Sequence, residues 1–240
     1  MEQKKIKTED YVVSFIDILG ASKRIRDDVD CSLNQVHDVY RESLEEHRLY
    51  LSEEPFNEVK PVVRIFSDNI VLAAPTTHGV DAAFMSVLVF TAIVQHNFLG
   101  SGFLTRGGIT VGSFFYDDVM IWGQALVDSY QLESNIAIYP RIVISPKLIE
   151  QLIFLEFPAT RQFVSKDIDD LYYVNYMNKR FYGKLEDNTI SFYFDALLAD
   201  CDQMCSEAKG DIRILQKINW HKNYLIAKRA EWLKTERGEE

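Results

Sequence analysis

Two aspartates stand where apolar runs end or pause: Asp17 closes VVSFID, and Asp68 follows VVRIFS just before NIVLAA. Asp17 is expected to end a strand and begin a turn into a helix. Asp68 is expected at the tip of a hairpin, the polar stretch Ser67-Asp68-Asn69, whose first strand would lie beside the Asp17 strand. Neighbouring strands would bring both carboxylates to one edge of a sheet, where they repel and desolvate each other unless a cation or proton sits between them. A pair of Mg²⁺ or Mn²⁺ ions fills that role, and magnesium favours few carboxylates plus substrate phosphates. The helix beginning near Leu19 would offer the Ala21 and Ser22 amides to a phosphate tail. Taken singly, each Asp is also an ordinary N-cap or turn former.

The elements that must position these residues follow from apolar periodicity. YVVSFID is a nearly continuous β-rich run, as in a strand covered on both faces, followed by a helix at LGASKRIRDD. A longer amphipathic helix runs from about Ser32 to Leu51, with Pro55 closing it. VKPVVRIFSD and NIVLAAP form the first hairpin, 80–98 is a buried helix, and FLTRGGITVGSFF turns through Tyr116-Asp117-Asp118 into VMIW as a second hairpin. QALVDSYQLESN is helical and PRIVIS a further strand. The order β-α-α-β-β-α-β-β-α-β interleaves helices with hairpins, which gives an α+β fold with a ferredoxin-like core sheet flanked by helices. With no repeat, low-complexity segment or linker, 1–240 is expected to be one domain, its core about 8–180. The remainder, about 181–240, reads as a C-terminal helical extension that includes a long Trp-bearing helix over 209–236.

Bulk properties exclude several classes. A formal charge of −10 and a pI of about 5.0 argue against a duplex nucleic-acid partner. Three cysteines without a CxxC pair point to a reducing compartment and no zinc site. The apolar run over 82–94 reads as a buried helix, since a spanning helix needs about 20 residues. The N-terminus lacks the apolar region of an export signal, so a cytoplasmic protein is expected. The five histidines show no paired metal spacing. The glycines of RGGITVG are expected to let the strand pass close to a substrate or a neighbouring chain.

Four motifs in order, FIDILGA, FSDNIVLAA, Arg106-Gly107-Gly108-Ile109-Thr110-Val111-Gly112 and GQALVDSYQLE at 123–133, resemble those of the class III nucleotidyl cyclases. The resemblance covers roughly residues 12–145. It implies a homodimer with composite sites at the subunit interface, in which Asp17, the Ile18 carbonyl and Asp68 hold two metals. The implied reaction is attack of a ribose 3′-oxygen on the α-phosphorus, giving a 3′,5′-cyclic nucleotide and pyrophosphate. The chain departs from the family where an Asn and an Arg stabilise the transition state: those positions hold Val127 and Gln131. Arg106, Asp128 and Gln131 are the candidates for that charge.

The base-reading positions of the resemblance fall on Arg64, four before Asp68, and on Met120, so neither purine pair is present. A guanidinium has only donors and suits O4 or O2 of uracil, while cytosine still shows O2 and N3. Met120, with Tyr50 as a further candidate, would shrink the pocket to one ring. The pattern looks like the bacterial pyrimidine cyclases of Pycsar antiphage defence. That implies a metal-dependent lyase making cyclic UMP from UTP, with cyclic CMP from CTP as the alternative, and a separate effector that the product activates. A cyclase-like module that binds nucleotide without turning it over stays open beside it.

Overall fold

The computed structural model describes residues 6–53, 59–153, 158–181 and 186–237. Its first strand, β1 (Glu9–Ile18), is buried along most of its length, as its unbroken apolar run requires. Gly20, at φ 77°, turns the chain from β1 into the short helix α1 (Ala21–Asp27), since a left-handed backbone costs glycine nothing. The amphipathic helix α2 (Val29–Glu53) starts three residues before the expected Ser32, and Pro55 lies outside the described residues. The first hairpin is β2 (Val62–Phe66) and β3 (Asn69–Pro75), joined by Ser67 and Asp68, with Ser67 left-handed at φ 56°.

Helix α3 (Val80–Gly100) is apolar on nearly every side. It is long and apolar enough to cross a membrane, yet 83% of its most apolar window is buried inside the fold. Behind it come β4 (Thr105–Tyr116) and β5 (Ile121–Trp122), then α4 (Gln124–Gln131), which runs on as a π-helical turn over Leu132–Ile136. Strand β6 (Ile142–Ile144) completes the elements expected from periodicity. Four short elements follow it: α5 (Pro146–Ile149), α6 (Pro158–Arg161) and the pair β7 (Val164–Lys166) and β8 (Tyr172–Val174). The C-terminal segment, expected as a helical extension, consists of α7 (Asp187–Glu207) and α8 (Ile212–Arg237).

The strands join in the order β2-β3-β1-β4-β6-β8-β7, with β5 paired to β4. One expectation is corrected here: the neighbour of β1 in the hairpin is its second strand, β3, so that Asp17 stands opposite Asn69. Helices α2 and α3 cover one face of the sheet through Val12, Ile16, Leu72 and Ile109. Helix α4 covers part of the other through Tyr11, Val13, Phe15 and Val71. Helix α8 closes a third cluster with α7, Leu19, Leu104 and Tyr173.

The glycines of β4 serve the chain's own packing. A Cβ on Gly108 would lie 2.4 Å from Leu132 Cβ and 2.7 Å from the Ser129 carbonyl. One on Gly107 would lie 2.2 Å from the Phe15 carbonyl. Close approach is thus required, but by α4 and β1 of this chain, which corrects the expectation of a substrate or neighbouring chain.

Candidate active site

Register fixes the site. Alternation along β1 puts Asp17 on the α4 face, and antiparallel pairing sets Asn69 on one side of it and Arg106 on the other, with Phe66 beyond Asn69. The Ile18 amide donates to the Asp68 carbonyl at 3.0 Å, so the main chain itself ties the two aspartates together. The Asp68 carboxylate accepts from Asn69 Nδ2 at 3.2 Å. Arg106 Nε donates to Asp17 Oδ2 at 3.2 Å, and Arg106 Nη2 lies 2.5 Å from Glu133 Oε1. Glu133 sits buried in the π-helical turn, its other oxygen accepting from Ser134 Oγ at 2.7 Å.

These charges are strained by burial. Desolvation pushes the Asp17 carboxyl above its ordinary range; the bond from Arg106 opposes this, and the Asp68 charge adds to it. Burial likewise raises Glu133 against the pull of Ser134 and Arg106. Lys217 of α8 belongs to the same group: burial and the Arg106 charge lower its pKa, while Asp17 and Glu133 raise it. A divalent cation between Asp17 and Asp68 would relieve their mutual repulsion, and two carboxylates beside a main-chain oxygen are a hard, oxygen-only donor set. Among the described residues no group of three or more His, Cys, Asp or Glu is placed to hold a metal alone. The two carboxylates and the main-chain oxygen nonetheless fit Mg²⁺ or Mn²⁺.

The two expected base readers come together. Arg64 shares the α4 face, opposite Val71. It donates to the Asp117 carbonyl at 3.1 Å and to the Val63 carbonyl at 2.9 Å, and lies over the Tyr116 ring. Asp117 in turn caps the Met120 amide at 2.8 Å, so Arg64 and Met120 flank one turn. Tyr50 is not brought to them: its ring meets Phe163 edge-on in the cluster formed with α2 and α3 on the opposite face. Ala21 and Ser22 open α1 directly after the site, and no side chain caps that end. Val127 and Gln131 are both exposed on α4.

Sequence reasoning missed Glu133 and Lys217 as members of this group. Glu133 was visible as the last residue of GQALVDSYQLE, but a glutamate there reads as a solvated helix residue. Nothing local marks Lys217, whose place depends on how α8 docks. Asp169, in an exposed turn, pairs with the buried Arg141, as does Asp167.

No protein-family model matches the chain, and no relative was found among curated proteins. Solved structures do match. The adenylyl cyclase CyaB from P. aeruginosa is 13% identical with a TM-score of 0.52, over 71% of this chain and 96% of that one. The monomeric guanylyl cyclase domain of the RhoGC fusion protein from the fungus Blastocladiella emersonii is 16% identical with a TM-score of 0.53, over 72% and 98%. The guanylate cyclase domain of RhGC from Catenaria anguillulae, solved with GTP, is 15% identical with a TM-score of 0.50, over 71% and 98%. The fold is that of class III nucleotidyl cyclase domains: a mixed sheet flanked by helices. At such identities the likeness carries the fold, and the chemistry must be argued from the side chains.

Proposed function

We propose that the chain is a metal-dependent nucleotidyl cyclase that converts UTP to 3′,5′-cyclic UMP and pyrophosphate. The observation that carries this reading is the junction of Asp17, at the end of β1, with Asp68, in the turn before β3, linked through the Ile18 amide beside the open start of α1. Asp17, the Ile18 carbonyl and Asp68 would hold the metal ions. Bound there, Mg²⁺ or Mn²⁺ would supply Lewis-acid chemistry, lowering the pKa of the ribose 3′-hydroxyl and offsetting the phosphate charge. The 3′-oxygen gives its proton to solvent water and bonds to the α-phosphorus as the bond to the β-phosphate oxygen breaks, so pyrophosphate leaves in line. The Ala21 and Ser22 amides face the phosphate tail. Arg106 holds Asp17 in place and adds positive charge where the α-phosphate becomes more negative.

Arg64 reads the base. A donor-only guanidinium, anchored on two carbonyls, meets the acceptor edge of uracil better than the amino group of adenine. Met120 beside it narrows the pocket. CTP is the alternative substrate, through O2 and N3. Two chains pair through the α4 face, where Trp122, Val127 and Tyr130 are exposed apolar residues at 66%, 48% and 52%. In this reading the cyclic nucleotide is a cytoplasmic second messenger of antiphage defence and acts on a separate effector.

Exposed Val127 and Gln131 put no cation on α4, which favours a second reading: a module that binds nucleotide without turnover. Melting with Mn²⁺ and each NTP, for the wild type and Asp17→Ala, separates these from a protein that merely dimerises. A ligand at 100 times its Kd adds about 2.7 kcal/mol of stability. UTP with Mn²⁺ is expected to raise the wild-type melting temperature more than ATP or GTP, and to lose that effect in Asp17→Ala. Identical melting with and without metal and nucleotide would leave only the dimerising protein.

A further inference from the structure

Helix α8 docks across the ends of β1 and β4, the strands that carry Asp17 and Arg106. Its Ile218, Tyr224 and Leu225 share one apolar cluster with Leu19 and Leu104. Trp220 stacks on Tyr139 with centroids 5.8 Å apart and donates to Asp167 Oδ2 at 3.0 Å. His221 lines a small cavity with Leu104, Thr105 and Pro140. Lys217 is one helical turn before Trp220 and His221, on the side of α8 that faces the site. It is half-buried, with Arg106, Asp17 and Glu133 as its electrostatic neighbours.

Three other cations of this helix have carboxylate partners: Lys222 pairs with Asp202, Lys228 with Glu231 and Arg229 with Asp195. Arg106 spans Asp17 and Glu133, which already offset part of the charge it turns to the α-phosphate. Lys217 forms no ion pair among the described residues, although it faces an acidic group. Three carboxylates, Asp17, Asp68 and Glu133, outnumber the two cations, so the site repels an incoming triphosphate unless metal ions and an uncommitted cation meet it. A lysine ammonium is a compact charge on a flexible stem, able to follow phosphate oxygens as charge moves onto the leaving group.

We propose that Lys217 reaches from α8 to the nucleotide's phosphate oxygens, in the same subunit that holds Asp17 and Asp68, and makes the C-terminal helix a working wall of the site. This rests on the cyclase reading above. Without Lys217 the metals would still bind, but the phosphates would lose one directed cation.

The test uses the full chain with Lys217→Met, which keeps an apolar stem of similar length, and Lys217→Arg, which keeps the charge. Lys217→Met is expected to lower kcat for cyclic-nucleotide formation about 100-fold, with an unchanged melting temperature. Lys217→Arg is expected to recover most of that loss. In parallel, calorimetry with pyrophosphate and Mn²⁺ should show binding weakened at least about tenfold in Lys217→Met. Wild-type kcat and wild-type pyrophosphate affinity in Lys217→Met would overturn the proposal. So would an Arg variant as impaired as the Met variant, because that pattern reports packing of the stem. Should Lys217→Met melt early, Lys217→Gln replaces it in the same comparison. A wild-type chain that cyclises no nucleotide sinks the cyclase reading, and the pyrophosphate comparison then still decides for or against Lys217.

Discussion

Arg106 is the residue on which the site balances. Its guanidinium joins Asp17, about one-fifth exposed, to Glu133, which is buried in the π-helical turn. A buried carboxylate that loses its cation keeps the cost of desolvation and loses the compensation. Arg106→Met is therefore expected to cost about 3 kcal/mol, a fall of roughly 6–12 °C in melting temperature for a chain of this size. The double variant Arg106→Met/Glu133→Gln removes the stranded charge and should recover most of that loss. Equal melting of the single and double variants would show that Glu133 does not depend on Arg106. Thermal melting of the pair reads this directly.

At the scale of elements, the site exists because β4 lets α4 come close. A methyl on Gly108 would overlap Leu132 and the Ser129 carbonyl, so Gly108→Ala must push out the turn that carries Glu133. A loss of about 1–3 kcal/mol is expected, accompanied by lower activity; melting and turnover unchanged from wild type would contradict this account of the glycine. Much of this layer was legible in the sequence. The apolar runs ending in Asp17 and Asp68 were visible as strands, and the polar Ser67-Asp68 turn as a hairpin, because period and turn chemistry are local signals. The pairing of β1 with β3 rather than β2 was not, since both strands offer the same apolar pattern to a neighbour. Helix α7, with Cys201 buried and Asp195 and Asp202 outside, was legible only as part of a helical extension and without its own bounds, because its apolar residues are spaced among acids and aromatics. Lys217 was illegible for a different reason: its meaning arises only when α8 crosses the ends of β1 and β4, a long-range packing that no local spacing encodes.

Across the whole molecule, burial holds three imidazoles below their ordinary range, His96 among them at about 4. His221, hydrogen-bonded to the Tyr176 hydroxyl at 2.8 Å, is pushed down to about 3 by burial. His47, stacked on Phe90, is pushed down to about 4 by the same cause. Both stay neutral in the folded chain but take up a proton near pH 6.5 when unfolded. Their contribution is thus complete above pH 6.5 and is lost as pH falls toward the folded values, at up to about 1.4 kcal/mol per pH unit for each. Denaturant midpoints between pH 7 and 4.5 should fall less steeply for His221→Gln than for the wild type; parallel slopes would contradict the burial of a neutral imidazole there. The central claim concerns the acidic pair at the end of β1. Its most direct test is to incubate the purified chain with ATP, GTP, CTP and UTP in the presence of Mn²⁺ and separate the products by chromatography, with Asp68→Ala as the blank. The account predicts cyclic UMP and an equal amount of pyrophosphate from UTP, both absent in Asp68→Ala. Cyclic CMP alone would keep the metal site and refute the role given to Arg64. No cyclic product from any of the four, or one that persists in Asp68→Ala, would contradict the claim itself.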